Sequence, residues 1–214
     1  MTISPVDLLA AGAALCAVWM CGVAGLSPLL RLLGLQAALL AVMTALLGYA
    51  FTSPHYYLLA LVVFGVKAVA IPLYLTSAAR RLGLRRDEGI RGHVTLPLFL
   101  GCGLLTAAYF LAPRIAVRSM GYAGAAGMAM ALLLIGMLIM LTRRLALSQV
   151  IGFLVLENGI YLYSLTQTHG MPLVIEMGII FDVLIAVLVA GVVISRLNRS
   201  FEHIDVTQLR GLRH

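Results

Sequence analysis

Apolar runs of membrane-spanning length, separated by short basic or proline-containing breaks, fill almost the whole of this 214-residue chain. A helix rising 1.5 Å per residue needs roughly 20 residues to cross about 30 Å of hydrocarbon, where no water satisfies exposed peptide groups. Such runs are therefore helical along their length. Taken in turn, they predict seven transmembrane helices at residues 5–25, 29–51, 55–79, 93–113, 118–141, 146–167 and 171–195. The breaks fall at Ser27-Pro28, Ser53-Pro54-His55, residues 80–93, Pro113-Arg114, Arg143-Arg144 and His169-Gly170-Met171-Pro172.

Composition gives the same class. Hydrophobic residues make up 62% of the chain and charged residues 11%, against roughly 45–50% and about 25% in soluble domains. With a mean hydropathy of +1.05, the expected fold is an all-α integral membrane protein. The longest polar interruptions are residues 80–92 and 196–214, which leaves no separate hydrophilic domain. Met1–Pro5 lacks a basic region, and no small-residue cleavage site follows, so the first run is expected to be a retained helix rather than a signal peptide.

Loop charge tests the parse, because cytoplasmic loops collect Lys and Arg. Seven crossings put Arg31, Arg80, Arg81, Arg85, Arg86, Arg91, Arg143, Arg144, Arg196, Arg199, Arg210 and Arg213 on one side, and Arg114 and Arg118 on the other. That bias predicts an outside N-terminus and a cytoplasmic C-terminus. It also accounts for the net charge of +7 without a nucleic-acid surface.

Three of the apolar runs carry an ionisable residue near the midpoint: Lys67, Glu157 and Asp182. A charge at that depth costs at least about 2.5–3 kcal/mol, and normally persists only when paired, hydrated or used. Burial raises a carboxylate's pKa while a nearby cation lowers it, which suits Glu157 and Asp182 to a proton relay. Lys67 is a candidate modulator or relay member, because a buried lysine deprotonates readily. Tyr161, four residues after Glu157 and on its helical face, extends the set through its hydroxyl, and Asn158 suits the orienting of a water. The plainer reading makes each carboxylate a pinned hydrogen-bond acceptor and Lys67 a structural ion-pair partner. Glu176 lies a turn inside the boundary, where a solvated carboxylate is the simpler expectation. Gln36, His55, His93 and His169 read as boundary residues.

The C-terminal stretch runs Ser148-Gln149-Val150-Ile151-Gly152-Phe153-Leu154-Val155-Leu156-Glu157-Asn158-Gly159, then a helix with Glu176 and Asp182, then His203-Ile204-Asp205 through Leu209-Arg210-Gly211. This pattern resembles the NuoK-type subunit of respiratory complex I and MrpC-type subunits of multi-subunit cation/proton antiporters. Seven helices with that unit last resemble, more specifically, hydrogenase-4 component E. In the NuoK-type pattern the first glutamate falls near position 154; this chain has Leu154 there and its carboxylate at Glu157, almost one turn along the same face. The resemblance implies a membrane-arm subunit of an energy-converting complex. Glu157 and Asp182 would belong to a chain of buried protonatable groups, and the partners would be antiporter-like membrane subunits and a hydrogenase-like or dehydrogenase-like redox module.

A faint duplication suggests a 3+1+3 layout: an N-terminal unit with its basic loop (residues 1–92), a linker helix (93–117) and a C-terminal unit with its tail (118–214). Other motifs carry little. Cys16, Cys21 and Cys102 lack metal-ligand spacing, the glycine-rich stretch from Gly121 to Gly127 follows no strand, and Met128, Met130, Met137 and Met140 suit packing. No cofactor, metal or catalytic residue is expected in this chain. The rivals are a stand-alone seven-helix transporter and a purely structural membrane subunit. A sugar facilitator would need an aromatic, polar centre, and aromatics are only 7%. A retinal-type pump would place its lysine in the last helix rather than the third.

Overall fold

The computed structural model describes residues 4–84, 86–87, 95–115 and 122–167, with positions 178, 184, 185, 187, 189 and 191. Six helices make up this part: α1 (Pro5–Gly22), α2 (Leu26–Ala50), α3 (Pro54–Arg81), α4 (Thr95–Ile115), α5 (Ala123–Thr142) and α6 (Ala146–Gln167). All but α4 are long and apolar enough to cross a membrane, and α4 contributes the apolar stretch Thr95–Leu111. The expected seventh crossing lies outside the described residues except at the six isolated positions, which are helical.

Two of the expected breaks are not breaks. Pro28 sits in the first turn of α2, where a missing N–H has no intrahelical partner to lose, and Gly25 caps the helix just before it. Pro113 falls inside α4, which runs on to Ile115. A proline's fixed φ is itself helical, so a helix can continue past it with the loss of one hydrogen bond. The fifth helix starts at Ala123, later than the expected 118.

Local chemistry explains the other ends. Ser4 and Asp7 form a capping box on α1, with the Asp7 N–H donating to Ser4 Oγ at 3.1 Å. After α3 the N–H of Leu84 reaches the Ala79 carbonyl at 2.9 Å, and Gly83 takes the left-handed φ of 66° that this closure requires. Thr52, at φ 50°, turns the chain between α2 and α3 in a conformation that a β-branched residue adopts only under strain.

Helix α2 packs on α1, α3 and α6, and α5 packs on α1, α4 and α6. Half of the buried residues of α1 are alanines (Ala10, Ala13, Ala14, Ala17), which lets neighbouring backbones come close. Two charges tie the ends of this bundle. Asp7 Oδ1 accepts the Ala125 N–H at 2.8 Å, so one carboxylate serves the N-termini of both α1 and α5. At the opposite end Arg143, expected to be a loop charge, is buried. Its Nη2 donates to the carbonyls of Met20 at 2.8 Å and Val23 at 2.6 Å, where α1 terminates. Burial lowers the Arg143 pKa from its ordinary value, and the nearby Asp87 carboxylate opposes that shift. Asp87 is buried as well, its N–H donating to Ala24 O at 3.0 Å and its Oδ2 accepting from Leu145 N at 3.4 Å.

Candidate functional site

The position of α6 is set by glycines. A Cβ at Gly136 would lie 2.5 Å from the Leu156 nitrogen, one at Gly152 would lie 2.9 Å from the Met140 nitrogen, and one at Gly159 would lie 2.8 Å from the Leu133 nitrogen. These clashes are with backbone, which side-chain rotation does not relieve, so α5 and α6 meet main chain to main chain. Because that seam fixes the rotation of α6, Glu157, Asn158 and Tyr161 are all held buried.

Across from them, α3 is not uniformly α-helical. Phe64–Ala70 forms a π-helical segment, in which the Ile71 N–H donates to Val66 O. Pro72 supplies the cause: in an α-helix its ring would collide with the Ala68 carbonyl and leave that carbonyl without a donor. The Ala68 carbonyl instead lies 3.1 Å from where a Cβ on Gly34 would be, so the wider turn nests on a glycine of α2. Lys67, the only lysine in the chain, sits within this segment and is buried. Short π segments inside α-helices occur frequently at functional sites.

Lys67 Nζ donates to Glu157 Oε1 at 2.7 Å, with the side chains 8% and 6% exposed. An ion pair this well buried is expensive to break on one side only. The ammonium also stands 6.0 Å from the centre of the Tyr161 ring, within cation–π range. Tyr161 Oη and Thr44 Oγ1 lie 2.7 Å apart, and Thr44 Oγ1 is 2.8 Å from Leu40 O. Because the Leu40 carbonyl only accepts, the threonine donates to it and receives the phenolic proton. Asn158 Nδ2 donates to Gln36 Oε1 at 2.9 Å, and Gln36 Nε2 donates to Ala13 O at 3.0 Å, so this second string joins α6, α2 and α1.

Between α2, α3 and α6 a cleft lined by Leu33, Ala37, Ile71 and Leu154 reaches Lys67 and Asn158. On the far side Gly178 comes so close that a Cβ there would lie 2.8 Å from Glu157 Oε1. The absence of a side chain at 178 leaves the carboxylate room to meet Lys67.

Lys67, Glu157, Asn158 and Tyr161, expected from sequence, thus converge on one buried polar centre. Asp182 and Glu176 lie outside the described residues. His55 is exposed at the start of α3, as expected of a boundary residue, whereas Gln36 is not one: it is fully buried and bonded to Asn158. Helix α2 begins at Leu26 and runs to Ala50, which puts position 36 well inside it. Thr44 was not expected at all. The available signal was the spacing of eight between Gln36 and Thr44, two polar residues on one face of an apolar helix. Among the described residues no group of three or more His, Cys, Asp or Glu is placed to hold a metal ion, and the three cysteines are free.

An apolar helical bundle around a buried ion pair defines the class as a polytopic membrane protein with an intramembrane charge centre. The chain belongs to the family of the uncharacterized protein Rv0085 of Mycobacterium tuberculosis, with 32% identity over 210 residues, covering 97% of this chain and 96% of that relative. It is also a distant homologue of hydrogenase-4 component E of Escherichia coli K12 and of Shigella flexneri, 27% identical over 151 residues and 70% of each chain. No protein-family model matches the chain, and no solved structure matches it.

Proposed function

We propose that this chain is a cytoplasmic-membrane subunit of a hydrogenase-4-like or complex-I-like energy-converting assembly, in which its buried charges take part in proton or sodium translocation driven by redox chemistry in partner subunits. The observation that carries this reading is the Lys67–Glu157 pair, buried at 2.7 Å in an apolar bundle homologous to a hydrogenase-4 component. Separating the two leaves each buried charge without its counter-charge, at about 3–5 kcal/mol, a cost that proton transfer to the carboxylate relieves. Proton uptake at Glu157 is thereby tied to movement of α3 against α6, which is the coupling a redox-driven complex needs.

The rest of the proposal extends the same reading. A seventh crossing at residues 171–195 carries Asp182 as the next protonatable group and Glu176 nearer its end; in sequence Asp182 follows Gly178, the residue against Glu157, by four positions. The N-terminus lies outside and the tail in the cytoplasm. The NuoK-like and MrpC-like character of residues 118–214 and the 3+1+3 layout belong to this proposal too. The partners are antiporter-like membrane subunits and a redox module.

The test is replacement of Glu157 by Gln and of Asp182 by Asn, one at a time, in the intact complex. Ion translocation is expected to fall about tenfold or more, with the complex still assembled. Wild-type redox turnover and wild-type pumping in both variants would sink the relay reading.

A further inference from the structure

On the face of α6 that carries Glu157, buried hydroxyls continue from the charge centre in one direction only; the buried Ser148 toward the other end lies on the opposite face. Glu157, Tyr161 and Ser164 are spaced four and three apart on α6, which places them on a single face, and all three are buried. Thr44 of α2 bonds the middle one at 2.7 Å. Beyond them, at the end of the helix, Gln167 Nε2 donates to Tyr122 O at 3.0 Å and lies 3.3 Å from Thr166 Oγ1. Toward the other end, the same face carries Leu154, Val150 and Leu147, none of which holds or passes a proton.

The cleft lies on that apolar side. Its lining residues Leu33, Ile71 and Leu154 are each displaced from the charge centre toward the ends of their helices at Leu26, Arg81 and Ala146. Those ends neighbour Arg143 and Asp87. The centre therefore meets a cleft on the Arg143 side and a run of hydroxyls on the Gln167 side.

We infer that Tyr161 and Thr44 form the half of the proton route that joins the Lys67–Glu157 pair to the Gln167 end, the cleft serving as the half that joins it to the Arg143 end. This inference rests on the relay reading above. In the step assigned to them, a proton leaving the Lys67 ammonium by way of a water bonds to the Tyr161 oxygen. The phenolic proton moves along the 2.7 Å contact to Thr44 Oγ1, and the threonine, turning its hydroxyl away from the Leu40 carbonyl that holds it at 2.8 Å, gives its own proton to a water on the Gln167 side. Tyrosine and threonine end as they began; Lys67 becomes a neutral amine and is recharged from the cleft.

The experiment compares Y161F, T44V and T44S with E157Q in the intact complex, reading proton translocation against redox turnover. Y161F and T44V each remove one hydroxyl and keep the side chain's bulk. Each is expected to lower translocation per electron at least tenfold, whereas T44S, which keeps the hydroxyl, stays within twofold of wild type. If E157Q loses translocation while Y161F and T44V keep it, the hydroxyl route is overturned and the relay reading stands. Should E157Q also translocate normally, both fall together. An equal loss in T44S assigns the effect to packing and overturns the route. If T44V fails to assemble, Y161F, which retains the ring, decides alone.

Discussion

Lys67 and Glu157 show how one contact makes two costly residues tolerable. Each alone, in a bundle this apolar, leaves an uncompensated buried charge, which costs about 3–5 kcal/mol once its partner is removed. Replacing both by apolar groups of similar volume removes the desolvation penalty together with the attraction. K67M is therefore expected to destabilise the chain strongly, and K67M combined with E157M to recover most of that loss. Unfolding of the four proteins in one detergent, read as a double-mutant cycle, checks this; equal and additive effects of the two substitutions would show that the 2.7 Å bond contributes nothing. The charged members of this centre were legible in the sequence, because a lysine and a glutamate stand out in apolar runs. Two of their neutral supports on α2 are not. Glutamine and threonine cost far less to bury than a charge, so Gln36 and Thr44 leave almost no trace in a hydropathy pattern.

At the level of elements, the helices were readable because their length is dictated by the bilayer, while the exceptions within them were not. Pro72 explains the π segment of α3 only once the Ala68 carbonyl is seen to have Gly34 opposite it. The sequence predicts breaks at prolines, yet Pro28 and Pro113 both lie within helices, and whether a proline ends a helix depends on where in the helix it falls. The α5–α6 seam was hidden for a related reason: glycines in an apolar helix look like any other apolar residues until a facing backbone is present. Gly152 offers a test. G152V would drive new atoms against the Met140 nitrogen and the Gly136 carbonyl, and is expected to cost about 1–3 kcal/mol or more by parting the helices. In contrast G103A in α4, where a Cβ meets nothing within 4 Å, is expected to be neutral or stabilising by up to about 1 kcal/mol. Comparing the two in a denaturant titration separates a seam from a surface.

Over the whole molecule the described bundle is tied at opposite ends by Asp7 and by Arg143. From sequence Arg143 is a loop charge, since a sequence shows a cation beside a helix end without showing the carbonyls of another helix above it. Its loss is expected to be felt globally. R143L removes the guanidinium hydrogen bonds to the carbonyls of Met20 and Val23, at about 1.5–3 kcal/mol for each bond to the charged group. R143K, which keeps the charge but not the forked geometry, is expected to recover part of that stability. Thermal denaturation of the two variants beside wild type checks the order, and a leucine variant as stable as the lysine one would remove Arg143 from the framework.

The shared carboxylate of Asp7 has a consequence for the path of the chain. Because it meets the first turn of α1 and the first turn of α5 together, while Arg143 just beyond the end of α5 touches the end of α1, the two helices run the same way. A chain that sets out twice from one face of a slab in the same direction has traversed the slab an even number of times in between. With α1, α2 and α3 each long and apolar enough for one pass, parity predicts that α4 makes the fourth. The helix with the shortest apolar stretch is thus assigned its crossing by parity rather than by hydropathy.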